Sequence, residues 1–430
     1  MNFLLRIPYA AAGAAARLAA ALAPAGEGKI VRSLRARRGI RARFAAWGTS
    51  GRDAKRPLVW LHAPSVGEGL QARPVVALLR QRRPDVQIAY TFFSPSAERF
   101  ARSIGADFCD YLPFDTSADA RAMLDALRPS ALVFSKLDVW PLLAESAAHR
   151  GVRLGLISAT LSAESDRRSR IASVILRNAY RALDAVGAIS TDDSARLQQL
   201  GVLGDRISVT GDARYDEAWA RANAVDPTVR TLVEPLRNAR PTLVAGSTWP
   251  ADEAPLLDAW HVVRERMPGV RLVIAPHEPV PSHLDRIADW AQNAGLTCAR
   301  LGDPSAAAAD VVLIDRVGVL GDLYALADIT YVGGGFHAAG LHSVIEPAAF
   351  GAPVLFGPRH TASRDAALLI ECGGGFSVSS AAEIAGRLTA LFGNPGARRA
   401  AGDLARDLVK GGLGAAERSA ALVEKLLKTS

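Results

Sequence analysis

From Leu58 onward, short apolar runs alternate with amphipathic stretches. The runs are LVWLHAP (58–64), QIAYTFF (87–93), ALVFS (131–135), RLGLIS (153–158), AVGAIS (185–190) and ISVTG (207–211). Between them the apolar positions take helical spacing, as at Leu70, Val75, Leu78 and Leu79. Apolar strands that alternate with helices predict a parallel sheet covered on both faces. The rhythm stops over 211–240, where Pro227 and Pro235 stand, and an interdomain linker is expected at 221–240. A second series follows: TLVAGST (242–248), RLVIAPHEP (271–279), VVLIDR (311–316), ITYVGGG (329–335) and PVLFGP (353–358). The expected fold class is therefore α/β, with two Rossmann-like doubly wound domains at 46–220 and 241–395 facing a central cleft. A helical segment at 1–45 precedes them, and Ala/Leu/Arg-rich helices at 396–430 follow.

The stretch 331–358, YVGGGFHAAGLHSVIEPAAFGAPVLFGP, reads as strand, glycine loop, short helix and second strand. Gly333, Gly334 and Gly335 let the backbone turn sharply and approach a ligand. A helix over 342–350 would aim its N-terminus at that loop, which makes an anion site. Glu346 is placed to accept hydrogen bonds from a ribose diol. The alternative is a structural turn whose glycines only permit tight packing.

Other strand ends carry further candidates. In HAPSVGEG (62–69), Ser65 suits the loop and Glu68 falls in the first turn of the next helix. There it either complements the helix dipole or faces the ligand as a general base. In AGSTWPADE (245–253), Ser247 and Thr248 either cap the helix or bind phosphate. APHEP (275–279) brings His277 and Glu278 to the same rim, unless His277 is only a polar turn residue. SKLDVWP (135–141) places Lys136 and Asp138 at a rim, with Trp140 as packing. VTGDARYD (209–216) offers Arg214 for a carboxylate or phosphate.

Composition narrows the class. Hydrophobic residues make up 49% of the 430 and charged residues 22%, which fits a folded globular protein. Cys109, Cys298 and Cys372 form no CxxC pair, and the eight histidines form no HExxH, so neither a disulfide scaffold nor a structural zinc site is expected. The net charge of +8 is concentrated in Lys29, Arg32, Arg35, Arg37, Arg38, Arg41 and Arg43, with no acid among them. Such a run binds nucleic acid or anionic lipid, or is a solvated helix face. The preceding residues, 2–24, are mostly Ala and Leu with Arg6 and Arg17. Arg17 argues against a membrane span or a signal peptide and favours an interfacial helix ahead of a basic one, with a single span as the alternative.

Taken in order, HAPSVGEG, DVWP, LSAESDRR, VTGDARYD, AGSTWPADE, APHEP and EPAAFGAPVLFGP resemble the lipid A Kdo transferases. That resemblance runs from the N-terminus to about residue 395. It implies a two-domain GT-B glycosyltransferase with CMP-Kdo as donor, a lipid A precursor as acceptor, no cofactor and no catalytic metal. It also implies attachment to the cytoplasmic face of the bacterial inner membrane, so the basic run meets lipid rather than nucleic acid. The catalytic base falls on Glu68. Donor binding falls on Ser247, Thr248, His277, Glu278, Gly333, Gly334, Gly335, His342, Ser343 and Glu346. Ser65, Lys136 and Arg214 are weaker candidates for acceptor or carboxylate contacts. Ser343 stands where many members have Asn, Ser158-Ala159-Thr160 where many have Asn-Ala-Arg, and Lys136 where an acid is common. Two rivals stay open: another GT-B nucleotide-sugar transferase or 2-epimerase, and a non-catalytic nucleotide-binding protein at the membrane. A dinucleotide dehydrogenase is discounted, because no GxGxxG follows the first strand.

Overall fold

A computed structural model describes residues 3–26, 28–162, 165–224 and 227–428. The chain divides into two units: residues to Glu217 together with those from Leu413, and residues Ala218–Gly412.

The first unit holds seven strands: β1 (Leu58–His62), β2 (Gln87–Phe92), β3 (Phe108–Tyr111), β4 (Ala131–Ser135), β5 (Arg153–Ala159), β6 (Ala185–Ala188) and β7 (Ile207–Val209). They form one parallel sheet in the order β3-β2-β1-β4-β5-β6-β7. Every residue of β1, β2 and β4 is buried, as continuous apolar runs in a two-sided sheet require. Strand order reverses between β1 and β4, so a crevice opens at their carboxyl ends.

The second unit holds β8 (Thr242–Thr248), β9 (Arg271–Pro276), β10 (Cys298–Arg300), β11 (Val311–Leu313), β12 (Ile329–Val332), β13 (Val354–Phe356) and β14 (Gly375–Ser377). This sheet is also parallel, in the order β10-β11-β9-β8-β12-β13-β14, and reverses between β8 and β12. Successive β8 residues face opposite cores. Leu243 and Ala245 join Trp260 and Ile287 on one face, while Val244 joins Val273 and Leu323 on the other.

Three expected boundaries are corrected. The stretch 221–240 is not an extended linker. It carries the helix Pro227–Val233, and Val229, Val233 and Leu236 are buried in the second unit's core. The segment 1–45 is not separate from the first sheet. Ile40 and Phe44 of the helix Ile40–Ser50 lie in its core, with Phe44 edge-on to Phe108 at 4.7 Å. The segment 396–430 is split: Pro395–Gly411 belongs to the second unit, and Ala415–Lys428 returns to the first. Leu422, Val423 and Leu426 complete the first unit's core, and Asp216 accepts the Gly414 and Ala416 amides at 2.8 and 2.9 Å.

Candidate functional site

In the first unit the helix Val66–Arg82 leaves β1 at the order reversal, with Ser65 extended at its N-cap. Glu68 lies in its first turn and is mostly buried. One carboxylate oxygen accepts from the Ser65 hydroxyl, and the other lies 3.1 Å from Lys136 Nζ. Lys136 reaches it from the turn after β4, where its φ is +64°. Burial pushes the Glu68 pKa up, but the Lys136 ammonium and the Ser65 hydroxyl outweigh it, and the carboxyl titrates below its ordinary value. Glu68 is thus an ionised, partly desolvated carboxylate at a strand end. The expectation that Ser65, Glu68 and Lys136 share one rim is met.

Beside them stands a second cluster. Buried His62 closes β1, and its Nε2 lies 3.0 Å from Asp138 Oδ2. Trp140 Nε1 donates to the same oxygen at 2.9 Å, and Arg167 approaches Oδ1 at 3.5 Å. Burial raises the Asp138 pKa, but its bonds to His62 and Trp140 and the Arg167 charge hold it below the usual range. Trp140 therefore orients Asp138 as well as packing. His62 and Arg167 escaped sequence reasoning. Arg167 belongs to LSAESDRR, of which residues 163 and 164 lie outside the described residues. Arg214 pairs with a carboxylate of its own chain: its Nε and Nη2 donate to Asp212 Oδ2 at 2.9 and 2.6 Å.

In the second unit the helix Pro250–Arg266 follows β8, and Asp252 in its first turn accepts the amide of the N-cap residue Trp249. Fully buried Asp252 accepts the amides of Trp249 (3.0 Å), Gly334 (2.8 Å) and Phe336 (2.9 Å). Gly333 N–H donates to Gly246 O at 2.9 Å. So the amides of Gly333, Gly334 and Phe336 are taken up by the loop's own support. Its glycines serve close packing. A Cβ at 333 would strike the Ser247 and Thr248 backbone, and one at 335 the Gly357 backbone, while Gly334 has φ +92°. The helix expected over 342–350 spans only Ile345–Ala349, leaving His342 and Ser343 in the loop. Thr248 is corrected too: it is buried, and its hydroxyl donates to Glu253 Oε1 at 2.8 Å.

What remains at this rim is mainly aromatic. His337 stacks on Trp249 at 4.2 Å and 7°, and His277 lies 4.6 Å from Trp249 and 4.5 Å from His342. Trp249 Nε1–H donates to His342 Nε2 at 3.1 Å, so that nitrogen carries no proton. Burial and then His277 push the His342 pKa down to about 4. Burial also lowers that of His277, with His337 adding and Glu278 opposing. Ser247 is half-buried with φ +53°, a strained value of the kind found at functional strand ends. His277, Glu278 and Ser343 are exposed. Glu346 lies 3.8 Å from Arg221 Nη1. Trp249, Asp252 and His337 are the members that sequence reasoning missed. Asp252 carried a signal, standing three residues after the N-cap. Among the described residues no three His, Cys, Asp or Glu side chains gather as a metal site.

The basic run serves the fold more than expected. Arg37 is buried, and its guanidinium donates to Leu112 O, Ser33 O, Ser33 Oγ and Phe93 O. Arg43 clamps Asp110 through two bonds, and Arg38 binds Ala20 O in the last turn of the helix Phe3–Leu22 and Ala23 O just after it. Arg32 and Arg35 are exposed, and the Lys29 side chain lies outside the described residues. The helix Phe3–Leu22 docks through one face. Tyr9 donates to Asp115 Oδ2 at 2.9 Å, Gly13 meets Asp115 O, and Ala20 is buried. At 3.6 residues per turn, Ile7, Leu18 and Leu22 occupy the opposite face, exposed at 60%, 62% and 72%. Among the described residues no helix is long and apolar enough to cross a membrane.

Comparison with known proteins fits this arrangement. Residues 36–217 match the family model described as 3-deoxy-D-manno-octulosonic-acid transferase (kdotransferase). A 3-deoxy-D-manno-octulosonic acid transferase from Bordetella pertussis is 30% identical over 410 residues, covering 89% of this chain and 91% of that protein. One from Haemophilus influenzae is 26% identical over 409 residues, covering 93% of each. Among solved structures, the UDP-GlcNAc 2-epimerase from Neisseria meningitidis bound to UDP-GlcNAc aligns with a TM-score of 0.63 at 14% identity, over 87% of this chain and 100% of that one. That likeness concerns the fold, which is GT-B. The collinear motifs, the two reversed parallel sheets and a relative that matches nearly end to end agree, and the chain belongs to the 3-deoxy-D-manno-octulosonic acid transferase family.

Proposed function

We propose that the chain transfers Kdo from CMP-Kdo to a sugar hydroxyl of a lipid A precursor, with inversion, in lipopolysaccharide biosynthesis. The carrying observation is Glu68, a mostly buried carboxylate at the β1/β4 reversal, kept ionised by Lys136 and Ser65. Glu68 takes the acceptor hydroxyl proton as the oxygen attacks the anomeric carbon. CMP leaves from the opposite face. Donor binding rests on Ser247, His277, Glu278, His342, Ser343 and Glu346, joined by Trp249 and His337. The imidazoles of His277 and His342, whose pKa values lie below the ordinary histidine value, and the serine hydroxyls there can donate hydrogen bonds to a phosphate, and Glu346 suits a ribose diol.

The test is mass spectrometry of tetra-acylated lipid A precursor incubated with the protein and CMP-Kdo. A product heavier by one or more Kdo units is expected. Turnover of a UDP-sugar in place of CMP-Kdo would instead favour the epimerase-like or other transferase reading.

Lys136 sets the working range of the base. Removing its charge in Lys136→Met lets burial dominate, so the Glu68 pKa rises. A base must be ionised to act, so the acid limb of the kcat/KM profile moves to higher pH. An unmoved limb would separate Lys136 from the base.

The exposed stripe Ile7, Leu18 and Leu22, with Arg32 and Arg35, supports peripheral attachment to the cytoplasmic face of the inner membrane. Replacing Leu18 and Leu22 together by Ser removes two exposed side chains. Vesicle binding falls about tenfold or more, since each buried leucine contributes on the order of 1.5–3 kcal/mol, while thermal stability is unchanged. Unchanged flotation with anionic vesicles would exclude this face.

A further inference from the structure

Beneath the N-terminal helix lies a cavity of about 410 Å³. Its polar side is formed by Arg17, Arg37, Arg38, Arg41 and Asp119, and Ile40 and Phe114 are among its apolar walls. Four arginines and one carboxylate line it, so the cavity keeps an excess of positive charge. Arg41 Nε binds Asp119 Oδ1 at 2.5 Å, and Arg17 Nε lies 3.5 Å from Oδ2. Asp119 is itself fixed, accepting from the Thr116 hydroxyl at 2.7 Å. Arg17 and Arg41 keep 43% and 39% of their side-chain surface exposed, so a phosphate oxygen can reach them in the planar geometry that arginine prefers.

We propose that this cavity holds the phosphodiester headgroup of an anionic phospholipid. The inference deepens the membrane attachment above and rests on it. An inorganic phosphate satisfies the arginines but leaves the walls of Ile40 and Phe114 without a partner. A glycerophospholipid fills both, with its phosphate on Arg41 and Arg17 and its glycerol and first methylenes against the apolar side. The opposite face of the same helix is the stripe Ile7, Leu18 and Leu22, so one lipid in the cavity and a bilayer around the stripe would hold the helix from both sides.

Ala21 lines the cavity and is exposed, so Ala21→Trp plugs it without changing any charge. Calorimetry would titrate monomeric dihexanoyl-phosphatidylglycerol, and separately inorganic phosphate, into wild-type protein and Ala21→Trp. Flotation with phosphatidylglycerol vesicles would run in parallel. One-to-one binding of the short lipid by wild type is expected, weakened about tenfold or more in Ala21→Trp, a loss of about 1.4 kcal/mol. Inorganic phosphate should bind more weakly than the lipid. Arg41→Met should lose the same binding, and it provides a check if the tryptophan disturbs the helix.

Equal binding of the short lipid by wild type and both variants would overturn the cavity while leaving vesicle attachment intact. Phosphate binding as tight as the lipid's would overturn the lipid assignment in favour of a free anion. Wild type that ignores phosphatidylglycerol vesicles would overturn both the cavity and the attachment. Kdo transfer to detergent-dispersed acceptor should be the same in Ala21→Trp and wild type, which keeps this proposal separate from the reaction itself.

Discussion

Glu68→Gln is expected to keep its fold and nucleotide affinity and to lose Kdo transfer by about 10²- to 10⁴-fold, the usual contribution of a general base. The amide keeps the shape and can still meet the Ser65 hydroxyl, but it cannot take a proton. The loss should fall on kcat, since the interaction removed develops only as the acceptor oxygen attacks. Glu68→Ala should do at least as much damage, because it also frees the Lys136 ammonium, which now lies 3.1 Å from Glu68. Product mass and initial rates measure the effect, and CMP calorimetry confirms an intact donor unit. Wild-type turnover by Glu68→Gln would remove Glu68 from the reaction and leave its carboxylate as a helix-dipole partner.

Asp252→Ala is expected to be the most damaging single change in the second unit. Three backbone amides end on this fully buried carboxylate, from the start of one helix and from the glycine loop. Bonds to an ionised acceptor are stronger than neutral ones, and each buried amide left unpaired costs about 1–3 kcal/mol. A loss of about 3–5 kcal/mol follows, at the upper end for point substitutions. Because the same bonds set the loop after β12, nucleotide binding should disappear even in the fraction that stays folded. Urea unfolding followed beside CMP binding tests both. A loss under about 1 kcal/mol would mean that the loop holds its shape without Asp252.

The parallel sheets were legible because two-sided burial leaves unbroken apolar runs such as Leu58–His62, and both reversals follow from the alternation. Glu68 and Lys136 were legible as strand-end residues, though their direct contact was not, since it joins positions 68 residues apart. The glycine loop stayed open between two readings for a physical reason. Glycine marks either a ligand's approach or a backbone's, and only the neighbours decide; here they are Ser247, Thr248 and Gly357. Thr248 shows the same limit. A hydroxyl near a rim donates to the nearest carboxylate, and Glu253 was already there. The basic run misled in part because charge density says nothing of internal acceptors, and Arg37 has four.

The return of the chain to the first unit bears on the order of folding during synthesis. The second unit, Ala218–Gly412, is continuous in sequence. The first lacks Leu422, Val423 and Leu426 until nearly the whole described chain has been made. A ribosome emitting this protein therefore exposes an unfinished apolar sheet, with the faces of β4, β5 and β6 uncovered where the helix Ala415–Lys428 will pack, while the later unit can already close. Translation usually completes the N-terminal domain first. Here the leading unit cannot complete its core until the trailing helix has been made.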